Sequence, residues 1–398
     1  MFRHLLKLTW KRKSRNLMLS LEILLAFAIV FAVAACAVRY AQLYAMPLGF
    51  DGTDVWSVNI QAGDDGQKRF DDSTYDSLRR GLAELPEVRA VAFMSFEPYS
   101  RSTMTSDLRR ANGKSVDTDL LEADDTLPAT LGLHVVEGRW FSALDNGSAD
   151  RPAVINRRMA DAMFAGERAV GQRFSDGESA KDSISYRVVG VVDAYRPKGE
   201  LSAPVNLAFL RLAPGKNGRD ARTILLKVKP GTERSFEASL NRRLKLIRND
   251  WSFQISPLSS SRAGMLKSQT TPLVVVAVIA AFMLLMVAFG LFGALWQNTT
   301  QRIPEIGLRR AVGASAASIY RQIVAEQFLL SSIAIAAGLA LLVQLPVTGV
   351  LGESLNWTVF TTAALLSMAL IYLISLLCAV YPGWRASRLS PTEALHYE

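Results

Sequence analysis

The sequence predicts a membrane α-helical protein, with four transmembrane helices carrying one large extracytoplasmic α/β domain. Three observations support that class. Four apolar runs are long enough to cross a bilayer, the first of them 22 residues or about 33 Å as a helix. A polar stretch, 40–270, separates the first run from the second and alternates strand-like with helix-like patterning. That stretch carries 32 Lys+Arg against 30 Asp+Glu, so most of the formal charge of +9 flanks the apolar runs. Such an excess sets membrane topology and argues against a nucleic-acid partner.

Taken in order, residues 1–16 hold six Lys/Arg and no acid. Phe2, Leu5 and Leu6 share a face with Trp10 beside them, which predicts a cytoplasmic amphipathic helix lying in the interface. The first span is 17–38. Its one charge, Glu22, is expected to pair with Lys13 or Arg15, to reach the interface, or to contact another helix. Val33–Cys36 loosely mimics a lipoprotein cleavage box after a basic start, but the apolar run is too long for a signal peptide. In the domain 40–270, strands are expected over 54–61, 88–96, 102–110, 223–228 and 251–256, with helices over 73–85 and 233–247. Two similar α/β halves therefore flank an insertion at about 118–212, itself containing a strand and helix in 151–174 and a strand in 186–193.

The second span is 272–296, with helical sequence beginning upstream near 259–268 as an outward stalk. The third span is 322–345, the short outer loop 346–356 lacks Lys and Arg, and the fourth span is 357–381. Ala334/Gly338 and Ala336/Ala340 are small residues four apart and permit close helix packing. The basic segments at 1–16, 297–321 and 382–398 agree on both termini and the 297–321 loop being cytoplasmic, with the large domain outside.

The loop between spans two and three is the most informative stretch. Pro304 suits a first helical turn, Glu305 sits at the positive helix end four residues before Arg309, and Gly313 is a stop. Arg302, Ile306, Gly307, Arg309 and Arg310 complete a short amphipathic helix, and a second helix starts near Ser315. The string RIPEIGLRRAVGAS, 302–315, resembles the R-x-x-E-I-G-x-R-R-A-x-G-A-S signature of MacB/FtsX-type permeases of ATP-binding-cassette (ABC) systems. The tail YPGWRASRLSPTEALHYE is similar to the family's closing pattern, with Gly383 where alanine is more usual. Residues 151–174 and 186–193 resemble the periplasmic core domain of the MacB-like family, in which a porter-like unit carries an inserted subdomain.

The resemblance implies that the segment 302–313 is a coupling helix seated on an ATPase. Arg302, Glu305, Arg309 and Arg310 would make polar contacts to it. Ile306 would be the apolar peg, Gly307 would allow close approach and Gly313 would set the corner. It further implies a second permease copy or paralogue, inner-membrane location, and efflux or relay of an envelope substrate. A periplasmic adaptor is left open, as is a non-transporting regulator that activates an envelope enzyme.

Catalytic chemistry is not expected in this chain. Gly113-Lys114-Ser115 ends like a phosphate loop, but Leu108 stands where that loop needs glycine, and no ABC signature occurs. ATP and Mg are therefore expected on a separate ATPase polypeptide, with no cofactor here. Asp117, Asp119, Glu122, Asp124 and Asp125 lack the central glycine of a calcium loop, and the three histidines are scattered, so no metal site is expected. His134 is the domain's one histidine, too little for a Ser–His–acid triad. Cys36 and Cys378 both fall in apolar spans, leaving the outer domain without a disulfide.

Overall fold

A computed structural model describes residues 13–61, 72–111, 113–176, 184–212 and 221–388. The amphipathic helix expected over 1–16 and the closing Pro-x-E-A-L of the tail lie outside the described residues, apart from the backbone of 13–16. Two compact units emerge, residues 43–269 and the combination of 1–42 with 270–398.

In the first unit, β1 (Val55–Gln61), α2 (Asp72–Ala83) and β2 (Val88–Met94) are matched late in the chain by β10 (Thr223–Val228), α5 (Phe236–Ile247) and β11 (Ser252–Pro257). The helix preceding them, α1, spans Lys13–Ala45. These four strands form an antiparallel run in the order β11-β1-β10-β2, a split β-α-β arrangement in which each half lends a strand to the other. Strand alternation assigns the faces. Ile224, Leu226 and Val228 pack with Leu78 and Leu82 of α2 and Leu240 and Leu244 of α5, whereas Leu225 joins the core on the other face.

Between the halves run β3 (Met104–Arg109), β4 (Ser115–Ala123), α3 (Leu127–Leu131), β5 (Val135–Gly138), β6 (Arg151–Asn156), α4 (Arg157–Phe164), β7 (Arg173–Ser175), β8 (Ser185–Val192) and β9 (Leu207–Arg211). Parallel pairing of β4 with β9 closes β4-β3-β7-β8-β6-β9 into a circuit, joined between β3 and β7 by the single pair Arg109–Ser175. Met159, Met163 and Phe164 of α4 fill its core beside Leu120, Ile155 and Phe174. β3 pairs along its whole length with β4, so this group of strands begins upstream of residue 118.

The residues that mimicked binding motifs have structural partners. Gly113 (φ +84°) is in the turn joining β3 to β4, where its N–H donates to the Arg110 carbonyl at 2.9 Å. Asp124 takes Arg79 at 2.6 Å, Asp125 takes Arg211 at 2.8 Å, and Asp119 accepts from the Thr105 hydroxyl at 2.8 Å. His134 is exposed.

The second unit contains the apolar helices. α1, α6 (Leu258–Thr300), α8 (Ala316–Leu342, continuing through the short α9, Gln344–Thr348) and α10 (Trp357–Arg388) are four helices long and apolar enough to cross a membrane. Each outruns its apolar span, because a helix ends where its backbone bonding ends and not at the hydrocarbon edge. α6 runs unbroken from before Pro272 as one 43-residue helix. Asn356 caps α10, accepting from the Val359 N–H at 2.9 Å. The core combines Ile23, Phe27, Leu291, Leu330, Ala334 and Ala379 from all four helices.

Small residues decide where the helices come closest. A Cβ on Gly338 would lie 2.7 Å from Phe27 Cδ1, and Ala334 is buried beside it. Ala336 and Ala340, by contrast, are exposed. Two residues further along a helix is about 200° of rotation, so both pairs cannot face α1. Glu22 packs its carboxylate on Gly290 of α6, the helix contact among its expected alternatives.

Candidate functional site

The loop after α6 folds as α7, Ile303–Ala311. Pro304 stands in its first turn, where a missing N–H costs no hydrogen bond, and Glu305 and the pair Arg309/Arg310 occupy the ends that suit their charges. Gly313 (φ +102°) turns the chain, with its N–H on the Arg310 carbonyl and Ala314 N–H on the Arg309 carbonyl at 2.9 Å. Ser315 then caps α8, its hydroxyl accepting from Ser318 N–H at 3.2 Å.

The orientation of α7 differs from the expectation. Ile306 is buried against Ile319 of α8 and Ala386 of α10, with Ile323 beside them, and Gly307 is buried too. Neither is available as a peg or an approach surface. Leu308 and Val312 instead form the outward apolar ridge, 62% and 83% exposed and one turn apart, with Pro304 and Glu305 also exposed. They border a shallow groove shared with Arg309, Ala314 and Ser318. Leu308 and Val312, four residues apart, fall on one helix face by periodicity alone.

The arginines are engaged internally. Arg302 donates to Glu326 on α8 at 2.6 Å, each side chain only about one-fifth exposed (21% and 20%). Gln322 donates to the other Glu326 oxygen at 3.0 Å and accepts from Arg309 at 2.8 Å, and Arg309 also pairs with Glu305 at 2.6 Å. Arg310 donates to the Ser387 backbone carbonyl of α10. A continuous polar chain thus ties α7 to α8, and a second tie reaches α10. Of the four charges expected to meet a partner, Arg302 and Arg310 are spent inside the molecule, while Glu305 stays half exposed.

Aromatic side chains cluster where α6 and α10 approach this site. Trp296 stacks on Tyr381 (centroids 5.7 Å, 8°), Tyr381 on Trp384 (6.4 Å), and the Arg385 guanidinium sits 4.6 Å over the Trp296 ring. Trp and Tyr at a helix end beside basic residues is the arrangement of a membrane–water interface.

Two families of known proteins match most of the chain. The family model for the MacB-like periplasmic core domain matches residues 23–242, and that for the FtsX-like permease C-terminal region matches 277–391. The chain belongs to the MacB/FtsX-type ABC permeases. It is a membrane protein with a periplasmic domain, and both matched regions are permease parts. The permease is 28% identical over 281 residues to the macrolide export ATP-binding/permease protein MacB of Bdellovibrio bacteriovorus, covering 66% of this chain and 41% of the relative. It is 27% identical over 285 residues to the pyoverdine export ATP-binding/permease protein PvdT of Pseudomonas savastanoi pv. phaseolicola, covering 69% and 42%. It therefore spans about two-fifths of the length of these relatives (41% and 42%). Among solved structures, the periplasmic region of MacB from Actinobacillus actinomycetemcomitans is similar at a TM-score of 0.39 and 17% identity, over 54% of this chain and 94% of that one.

Proposed function

We propose that this permease is a mechanotransmission subunit. A separate ATP-binding subunit, which holds the ATP and Mg, pushes on α7, and the motion passes through the helices to the periplasmic domain to expel or relay an envelope substrate. In this reading the split β-α-β unit is the porter-like part and the closed strand circuit its inserted subdomain. The permease resides in the inner membrane with both termini and α7 cytoplasmic, and pairs with a second copy or a paralogue. The observation that carries the reading is the exposed Leu308/Val312 ridge on a helix otherwise bound into its own chain. An apolar ridge flanked by a half-exposed Glu305–Arg309 pair suits a groove on a protein partner. Cargo class (drug, peptide, lipid or lipoprotein) is a property of the site outside the membrane and is not carried over from relatives that export different molecules.

Cysteine labelling tests the topology. Ser318 is exposed, and Cys36 is the exposed native cysteine, so S318C is made in a C36S background. A membrane-impermeant maleimide should label it in inside-out vesicles and not in intact spheroplasts. Labelling in spheroplasts would place α7 on the outer side and end the proposal.

A further inference from the structure

The end of α10 carries two positive charges that the coupling site does not use. Arg385 and Arg388 are exposed, three residues apart, and neither has a carboxylate partner among the described residues. The acids nearest in the fold are already taken, Glu326 by Arg302 at 2.6 Å and Glu305 by Arg309 at 2.6 Å. The small cleft that Arg385 borders is lined by Trp296, Thr299, Thr300 and Ile303, again without an acid. The charge of the pair is therefore not cancelled by its surroundings.

Each guanidinium is held by an aromatic ring instead. Arg385 lies 4.6 Å over Trp296 of α6, and Arg388 lies 4.5 Å over Trp384. A guanidinium placed over a ring is attracted to the π-face without using up its N–H donors. Two such groups one helical turn apart suit a phosphate, whose oxygens accept forked arginine bonds.

The face of α10 that leads to the arginines indicates which phosphate. Leu373, Leu377, Tyr381 and Trp384 are all exposed, and their spacing places them on one stripe with Arg388. Along that stripe the chemistry passes from hydrocarbon to aromatic ring to guanidinium. A phospholipid presents the same order from acyl chain to phosphate, and aromatic rings favour the level between. A free phosphate would gain nothing from the leucines.

We propose that Arg385 and Arg388 form a headgroup site for an anionic glycerophospholipid, donating to its phosphodiester while an acyl chain lies along Tyr381, Leu377 and Leu373. A lipid held there rests beside the stack of Tyr381 on Trp296, which joins α10 to α6 at this end. The inference needs a membrane surface at this helix end but not the choice of side, so it stands or falls separately from the topology.

The full chain is purified in detergent, stripped of lipid, and titrated while native mass spectrometry counts the bound molecules. The probes are phosphatidylglycerol and phosphatidylcholine, which carries the same phosphodiester but no net charge, with inorganic phosphate as competitor. Phosphatidylglycerol should bind about tenfold or more tightly than phosphatidylcholine. R385Q/R388Q should abolish most of that preference; the six Lys/Arg of residues 1–16 contribute the same background to every variant. R385K/R388K keeps the charge but gives up the planar, ring-held fork, and should weaken phosphatidylglycerol several-fold. Thermal melting accompanies both variants, and the lysine variant decides alone if the glutamine variant melts early. Equal affinity for the two lipids, wild-type preference in a normally melting R385Q/R388Q, wild-type affinity in R385K/R388K, or displacement of the lipid by millimolar phosphate would overturn the proposal.

Discussion

Truncating Ile306 and truncating Leu308 should have opposite consequences, although they sit two residues apart on one helix. Ile306 is 6% exposed and shares a core with Ile319 and Ala386. Removing a buried isoleucine to alanine costs about 2–5 kcal/mol, and at this rim site, where neighbours can partly close in, about 2 kcal/mol is the expected value. Local opening of α7 would then rise about thirtyfold. Hydrogen exchange of peptides covering 303–313, in the full chain in nanodiscs, reads that opening through amides such as Ile306 N–H, bonded to the Arg302 carbonyl at 2.9 Å. Leu308 is 62% exposed, so L308A should change exchange by no more than about twofold. Instead it should weaken association with the ATP-binding subunit. Equal acceleration in the two variants, or faster exchange in L308A, would refute the orientation of α7.

Two further outcomes follow from the structure. Gly338→Val drives a side chain into the buried Phe27 ring, an overpacking expected to cost about 1–3 kcal/mol, whereas Ala336→Val on the exposed face should be close to neutral; similar melting temperatures for both variants would remove the argument for close approach at Gly338. In the periplasmic domain, the hydrogen bond from Arg139, together with that from Ser142 N–H, holds the Asp145 carboxyl below the usual carboxylate range. The folded state thus binds that proton less readily than the unfolded state, so the contribution is full above about pH 4 and is lost as pH falls through the depressed value. R139Q should therefore lower the melting temperature at neutral pH and converge with wild type in acid, and a deficit that grows on acidification would contradict the pairing.

The four spans and α7 were legible because their signals are local: apolar runs of sufficient length, Pro304 opening a helix and Gly313 closing it. Facing was not local. Ile306 and Leu308 are both apolar members of one amphipathic helix, and the choice between them depends on Ala386, eighty residues further on. Arginine beside a membrane reads as solvent-facing by type, yet Arg302 and Arg310 meet Glu326 and the Ser387 carbonyl only after α8 and α10 have folded back. The strand circuit likewise depends on β4 meeting β9 in parallel, a pairing across more than eighty residues that period-2 patterning cannot register.

These attachments bear on how a push at α7 would travel. An expectation built on chain order sends it into α6, since α7 follows that helix directly. The side chains say otherwise. Ile306 is seated on α8 and α10, Arg302 is paired to α8, and Arg310 is bound to the end of α10, so a load on Leu308 and Val312 is received first by the third and fourth spans. Those two helices are themselves joined deeper in the apolar layer, by Ser331 to Ser375 at 2.9 Å and Ser332 to Tyr372 at 2.8 Å, polar contacts that have no competing water there. From α8 one route to α1 is the Gly338–Phe27 contact, and α1 meets α6 where Glu22 lies on Gly290. Each step is a close packing of a side chain on a glycine, an arrangement that transmits displacement because it contains little free volume to absorb it. If α7 is where force enters, α10 passes it to α6 directly through the Tyr381–Trp296 stack, and severing Gly338 from Phe27 should weaken the branch through α1 while leaving the partner-binding ridge intact.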